Sequence, residues 1–336
     1  MKNIFILIFS ISFLTNCSNS CDEPIPDNLN QSKHSSIRLE KIFYSNNENS
    51  PIEMHQYLSK YPQLYSTWYS MMLNAGNLNS TNSIDTITNK IKEFSSDSII
   101  QYILFNIDST FRNFNNYEEK IFNGIERYNY LFNKNNDINI GTFYSNFNAT
   151  VMETDNRIWI GLDMYLGPEH NITKNLPTSI PQYYKNKMDA KYITSDVLFG
   201  FLMTEQFKLM GDDMISRMLS YGKIAYLLEI LVPNENLAER FRYNESELNW
   251  CEENEYYIWK HLIDQQLIYS KDQVKINSFF IDGPFTKSLG PDSPSNIGIW
   301  IGYKMIKDYA TTNCKNIHEV LEENNVQTLL STYDPK

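Results

Sequence analysis

Glu255 is a carboxylate that falls where an apolar side chain is expected. In residues 246–268, apolar side chains recur at spacings of three and four, and the stripe consists of Leu248, Cys251, Glu255, Ile258 and Leu262. A carboxylate on such a stripe must be paired, hydrogen-bonded or protonated. Glu255 therefore has two interpretations, a general acid or base in a pocket and a hydrogen-bonded structural group, and we favour the structural one.

Sequence motifs assign no catalytic residue, metal ligand or cofactor site. None of the five histidines has another histidine three or four residues away, so the H-E-x-x-H arrangement of zinc enzymes is missing. The G-x-S-x-G nucleophile turn and the phosphate-binding G-x-x-x-x-G-K-[ST] loop are also missing from the sequence. An enzymatic function would therefore need an unrecognised site, for which Asp163 and Glu255 are the candidate acids.

The first 17 residues predict a lipoprotein signal peptide. Lys2 precedes an apolar run at residues 4–14, which is too short to span a bilayer but is typical of a signal-peptide core. The run ends in Leu14-Thr15-Asn16-Cys17, which fits a bacterial lipobox with Cys17 as the lipidated residue. A secretory peptide with a chance cysteine is the alternative. We expect a signal peptide at residues 1–16 and a polar, flexible tether at residues 17–50.

Composition excludes several classes of protein. The 336 residues carry a formal net charge of −11, which argues against non-specific binding of nucleic acid. A hydrophobic content of 42% is enough for a sizeable core. Four cysteines in a chain of this length do not make a disulfide scaffold, and spacing leaves open whether Cys251 and Cys314 are bonded.

Residues 51–336 predict a single α+β domain. Helical periodicity covers most of it, with helices expected at residues 97–111, 117–132, 212–232 and 246–268 and two short ones near the C-terminus. Residues 140–144 and 157–162 are β-branched and aromatic, which predicts two strands joined by a turn-bearing connection. The prediction is therefore a mainly helical domain around a small central sheet.

Several blocks in the second half of the chain resemble the gliding-motility lipoprotein family GldB of Bacteroidetes-type bacteria. The blocks are GLDMYLG (161–167), LSYGKI (219–224) leading to LVP (231–233), WCEENE (250–255), GPF (283–285), DSP (292–294), IGIWIGY (297–303) and STYDP (331–335). Their order and spacing extend the resemblance over residues 54–335, and the lipobox at Cys17 agrees with it.

The resemblance implies an envelope lipoprotein needed for surface gliding, with a supporting role in the associated type IX secretion machinery. It also implies a degenerate zincin-like fold, in which the metal-binding helix would lie near residues 192–206. Residues 195–199 have the sequence SDVLF instead of metal ligands, so peptidase activity does not carry over.

The leading hypothesis is a non-catalytic, membrane-anchored scaffold of the cell envelope. It would face the periplasm or the cell surface and bind protein partners of the gliding or type IX apparatus. Two alternatives stay open: an envelope hydrolase with an unrecognised site, and a glycan-binding surface lipoprotein.

Overall fold

The computed structural model describes residues 24–26, 29, 34–44, 50–76, 78 and 83–336. Its sheet has four strands in the order β1-β2-β4-β3, with β1 at Ser35–Arg38, β2 at Asn139–Phe143, β3 at Val151–Thr154 and β4 at Arg157–Gly161. Strands β1, β2 and β4 are parallel neighbours, whereas β3 and β4 form an antiparallel hairpin. The two strands predicted from sequence are β2 and β4, and they pair directly with Ile140 opposite Ile158.

Helices occupy most of the rest of the described chain. Before the second strand lie α1 (Leu39–Tyr44), α2 (Ser50–Leu58), α3 (Pro62–Thr67) with a π-helical turn at Trp68–Met72, α4 (Ile84–Ser96), α5 (Ser98–Thr110) and α6 (Asn115–Phe132). After the sheet come α7 (Asn171–Lys174), α8 (Gln182–Lys185), α9 (Ile193–Glu205), α10 (Met214–Leu231), α11 (Leu237–Arg240), α12 (Glu245–Glu253) and α13 (Glu255–Asp264). The last four are α14 (Gln273–Asn277), α15 (Ile297–Thr312), α16 (Ile317–Glu322) and α17 (Val326–Leu330).

The hairpin turn between β3 and β4 also connects the sheet to the N-terminal helices. Asp155 and Asn156 have φ values of 55° and 53°, the left-handed pair that a two-residue hairpin loop requires. The Asp155 carboxylate accepts hydrogen bonds from the N–H groups of Gln63 and Leu64 at 3.2 and 2.9 Å. These donors lie in the first turn of α3, where backbone N–H groups have no partner within the helix.

Helices α10 and α15 cross at the centre of the core, where two glycines let their backbones touch. A Cβ added at Gly302 would lie 1.8 Å from the Met218 carbonyl oxygen, and one added at Gly222 would lie 2.2 Å from the Gly302 carbonyl oxygen. Any side chain at either position would force the helices apart. Both glycines belong to blocks that carry the family resemblance, and the structure gives these blocks a packing role.

The α+β, mainly helical fold class is confirmed, and so are most predicted helices. Helix α6 covers Asn115–Phe132, Asp97 caps α5, and α10 lies within the predicted residues 212–232. The single helix predicted at residues 246–268 is wrong, because Asn254, with φ −114° and ψ 12°, separates α12 from α13. The zincin-like relationship stays a prediction.

The domain begins earlier than the boundary predicted at residue 51. Strand β1 lies within residues 17–50, which were predicted to be a tether, and it pairs with β2 over its whole length. Leu39 and Phe43 of α1 follow it and are buried in the core. A four-residue strand in a polar segment has too little apolar alternation to be recognised. The signal peptide, Cys17 and Cys21 lie outside the described residues.

Two further findings concern the membrane and the cysteines. Within the described ranges, no helix is both long and apolar enough to cross a bilayer. Cys251 is buried and its thiol is free, so it does not form a disulfide with Cys314.

Candidate functional site

Asp163, the first candidate acid, is enclosed by hydrogen-bond donors. It lies in the 3-10 turn Leu162–Tyr165 after β4 and is completely buried. Its carboxylate accepts from the N–H and hydroxyl of Ser145 at 2.8 and 2.9 Å and from the N–H of Phe147 at 2.5 Å. Burial raises the pKa of Asp163 to about 6, and these donors offset part of that effect. The side chain therefore fixes the loop that follows β2.

Glu255, the second candidate acid, lies in the first turn of α13 and is buried. Its Oε2 forms an ion pair with Lys304 Nζ of α15 at 3.2 Å, whereas Oε1 has no hydrogen-bond partner among the described residues. Burial raises the pKa of Glu255, and the nearby Lys304 ammonium lowers it in part. Glu255 thus connects α13 to α15 beneath the C-terminal segment that carries Tyr333.

The structure does not bring the two candidate acids together. Within the part of the chain that it describes, no hydrogen bond or ion pair links Asp163 to Glu255, and neither lines the cavity described next. Each carboxylate is held by its own structural partners. A two-carboxylate acid–base site, which needs both groups on one substrate, has no geometric support here.

A cavity of about 250 Å³ opens between β3, α9 and α15. Its apolar wall includes Val151, Phe199, Phe241 and Ile299, and its polar lining includes Ser195, Asp196, Arg242, Asp282 and Asn296. Apolar walls with a few convergent polar groups are typical of small-ligand sites. This Asp196 cavity is therefore the best candidate for a functional site in the described residues.

The Asp196 carboxylate organises the polar side of the cavity. Its Oδ2 accepts from Arg242 Nη1 at 2.5 Å and from the Tyr165 hydroxyl at 2.7 Å. Arg242 also donates from Nη2 to the Lys187 carbonyl at 2.8 Å. Burial raises the pKa of Asp196, whereas Arg242 and the Tyr165 hydroxyl lower it in part. At the rim, Asn296 Nδ2 donates to Asp282 Oδ1 at 2.6 Å.

Two polar atoms beside this cluster have no partner. Ser195 Oγ and Arg242 Nε are buried and make no hydrogen bond among the described residues. Among the described residues, no histidine or carboxylate is hydrogen-bonded to the Ser195 hydroxyl, so a base that would activate it as a nucleophile is missing there. Both atoms are closed off from solvent, so a ligand would reach them only after a side-chain movement. The cavity offers space for a small ligand, but the described residues around it hold no assembled nucleophile.

Metal-binding geometry gives no further site. In the described ranges, no three His, Cys, Asp or Glu side chains lie close enough together to hold a metal ion. His170 accepts a hydrogen bond from the Ile172 N–H and caps α7.

Sequence reasoning did not identify the Asp196 cavity. In the sequence, residues 195 and 196 stand out only because metal ligands are missing there, and Arg242 lies in a short connection with a φ of 55°. Arg242 and Asp196 are 46 positions apart in sequence, so only folding of the chain brings them together. The one signal available in sequence is that Asp196 directly precedes the apolar run of residues 197–203.

A comparison with known protein families decides the family of the chain. Residues 22–335 match the family model described as gliding motility protein GldB. The chain belongs to the GldB family. No curated protein and no solved structure matches it.

The blocks that carry the GldB resemblance lie at structural junctions of the fold. GLDMYLG holds Asp163, LSYGKI and IGIWIGY supply the two glycines of the α10–α15 crossing, and WCEENE spans the α12–α13 break up to Glu255. In this member of the family, these positions pack or hydrogen-bond the core. Two of these blocks also reach the Asp196 cavity, because IGIWIGY supplies Ile299 to its wall and GLDMYLG supplies Tyr165, whose hydroxyl donates to Asp196.

Proposed function

We propose that this GldB-family chain is a lipid-anchored envelope protein that supports gliding motility by binding protein partners rather than by catalysis. The family match over residues 22–335 carries the proposal, since the family is named for gliding motility. The scaffold role is supported by the structural use of Asp163 and Glu255, each of which is occupied by partners within the core.

The anchor is assigned to Cys17. The lipobox ending at Cys17 supports it, and lipid chains on this residue would hold the domain at a membrane surface. A role beside the type IX secretion machinery follows from the same family resemblance. Protein partners in that machinery are the proposed targets of the domain.

The anchor is tested with Cys17→Ser in a strain that lacks the chromosomal gene. Metabolic labelling with an alkyne-bearing palmitate should mark the parent and the Ser20→Ala control but not Cys17→Ser. Colony spreading should be restored by the parent and the control alone. Lipid labelling of Cys17→Ser, or full spreading by an unlabelled protein, would contradict the anchor.

The scaffold role is tested by crosslinking whole envelopes and capturing the tagged chain. A matched control carries the same residues 1–23 fused to an unrelated globular domain. Proteins of the gliding or secretion machinery should be recovered with the parent and not with the control. Equal recovery with both chains, or no machinery protein with either, would overturn the scaffold role.

The competing hydrolase function is best tested at the Asp196 cavity, because a half-buried carboxylate with a raised pKa lines it. Asp196→Asn keeps the shape of the side chain and removes its ability to carry a proton. Under the scaffold proposal, a folded Asp196→Asn protein keeps both gliding and partner capture. If the variant does not fold, both are lost. Loss of gliding by a folded variant that still captures its partners would favour catalysis.

A further inference from the structure

The N-terminal segment makes contact with the domain before it reaches β1. Pro26 lines a cavity of about 240 Å³ whose other walls include Lys120 and Arg127 of α6 and Val232 and Glu235 after α10. Lys120 Nζ pairs with Glu235 at 2.8 Å across this site. We call the surface formed by Pro26, Lys120, Arg127, Val232 and Glu235 the tether face.

A second contact fixes the same segment on α6. His34 Nε2 lies 2.6 Å from Glu126 Oε1, and its ring stacks on Phe122 with centroids 4.6 Å apart. His34 directly precedes β1. Pro26 and His34 therefore both lie against α6. The chain meets the domain at this helix before it enters β1.

The chain between the proposed lipid anchor and the tether face is short. Seven residue steps separate Cys17 from Pro24, the first described residue, and an extended chain spans at most about 3.6 Å per residue, or roughly 25 Å in total. A compact domain of this size has a radius of gyration of roughly 20 Å and so a diameter of roughly 50 Å. The reach of the tether is therefore about half the width of the domain.

Helix α10 distinguishes the end of the domain beside the tether face from the opposite end. Its 18 residues end at Leu231, beside the tether face, and at about 1.5 Å per residue its two ends are roughly 27 Å apart. Lys271 pairs with Asp212 just before the other end of α10, and both side chains are two-thirds exposed. Lys120 and Lys271 therefore mark opposite ends of the same helix.

We propose that the tether face is the membrane-facing surface of the domain, with the C-terminal end of α10 directed at the lipid headgroups. This inference rests on the proposed anchor at Cys17. The partner of the tether face is a bilayer surface, because the short connection to the acyl chains keeps this end of the domain within about 25 Å of it. The end marked by Lys271 is left free for protein partners.

Crosslinking to lipid headgroups tests the orientation. The lipidated full-length protein is reconstituted in vesicles of phosphatidylethanolamine and phosphatidylcholine and treated with a bifunctional amine crosslinker. Mass spectrometry then compares lipid adducts at Lys120 and Lys271, each normalised to the singly reacted crosslinker at the same lysine. This normalisation removes the difference in reactivity between the two side chains. We expect a several-fold excess of lipid adducts at Lys120.

A variant with a lengthened tether provides the matched control. Twelve Gly/Ser residues inserted after Asn19 add up to about 43 Å of reach and leave residues 24–336 unchanged. The excess at Lys120 should disappear while flotation with the vesicles is retained. An excess that persists in this variant would overturn the reach argument.

The outcomes separate this inference from the proposed function. Failure of the parent protein to float with vesicles would overturn the lipid anchor itself. Flotation with equal lipid adducts at Lys120 and Lys271 would leave the anchor intact and overturn the orientation.

Discussion

Asp163 shows how a buried carboxylate can look catalytic and act as a structural group. All three of its donors come from the loop that follows β2, two of them from the main chain. Main-chain donors cannot turn away when the acceptor is lost, so their desolvation would be uncompensated. The residue therefore matters for stability even though it touches no cavity described here.

The raised pKa of Asp163 gives stability a defined dependence on pH. Burial moves the pKa from 3.8 to about 6, so between these values the native state holds a proton that the unfolded chain has lost. The stabilisation from this bound proton is present in full below about pH 4 and is lost as the pH rises through about 6. We expect the free energy of unfolding of the parent, relative to Asp163→Asn, to fall by up to roughly 3 kcal/mol between pH 4 and 7.

Urea unfolding of both proteins across this pH range measures the difference. Asp163→Asn is a suitable reference because its amide does not titrate. A constant difference between parent and variant would show that Asp163 is ionised in the native state throughout the range.

The pair of Glu255 and Lys304 can be tested by a double-mutant cycle. Removing the buried carboxylate charge with Glu255→Gln should cost about 1–2 kcal/mol, because Lys304 loses its partner. Lys304→Met should cost at least as much, since it leaves Glu255 buried and unpaired. The coupling energy should be about 1 kcal/mol by thermal or urea unfolding.

Glu252→Gln is the matched control for this cycle, because Glu252 is exposed on the preceding helix. It should leave the unfolding midpoint unchanged. If Glu255→Gln were as stable as the parent, the structural role of Glu255 would be contradicted. Glu255 would then again be a candidate acid or base.

The candidate site could be predicted from the sequence only where a local pattern marked it. Glu255 interrupts an apolar stripe, and that pattern correctly indicated its burial. The ion pair with Lys304 depends on α13 meeting α15, and the contact between Arg242 and Asp196 depends on a positive φ at Arg242. Neither arrangement has a periodic signature, so neither could be predicted.

At the scale of elements, the α10–α15 crossing is the contact least tolerant of change. Gly302→Ala would bring a methyl group to 1.8 Å from the main-chain oxygen of Met218, and a backbone atom cannot move aside as a side chain can. We expect a loss of about 3 kcal/mol or more in the free energy of unfolding.

Gly200→Ala is the control for this prediction, because it introduces the same methyl group in a helix. Its Cβ would meet only Val151 Cγ1, at 3.5 Å, which is an ordinary contact. Since alanine favours the helix, Gly200→Ala should increase stability by about 0.5–1 kcal/mol. If both variants unfolded at the same urea concentration as the parent, the close crossing would be contradicted.

Sequence patterns fail for two kinds of element. One is a helix that ends because of a single residue, and the other is a strand that pairs over only a few residues. Asn254 ends α12, and its side-chain amide donates to the Trp250 carbonyl at 2.8 Å, which competes with helix continuation. Strand β3 has only four residues and gains its identity from pairing with β4. Long periodic helices such as α6 were predicted almost to the residue, because burial of one face dictates their pattern.

At the scale of the whole molecule, the first strand and helix belong to the stable unit. Besides its pairing with β2, this region is held by Glu40, whose Oε2 accepts from the Thr142 hydroxyl at 2.7 Å, and by Arg38, which donates to the Phe111 carbonyl at 2.7 Å. A chain that begins at residue 51 would expose a β2 edge and leave the core without Leu39 and Phe43.

We therefore expect that a chain of residues 51–336 is insoluble or melts far below the full chain. A chain of residues 17–336, which lacks only the predicted signal peptide and keeps all four cysteines, should melt with the full-length protein. Expression of both chains followed by calorimetry checks the prediction. Equal melting temperatures of the two chains would restore the boundary predicted from sequence.

The place where the chain enters the domain also determines how the protein meets mechanical force. If Cys17 is embedded in lipid and a moving partner holds the domain, tension passes first through the contacts of Pro26 and His34 with α6, and then into β1. Because β1 runs parallel to β2, a pull along its axis shears all of their hydrogen bonds together instead of opening them one by one. The short first strand would then act as a clamp, and its rupture force would limit the pull that the anchored protein can transmit.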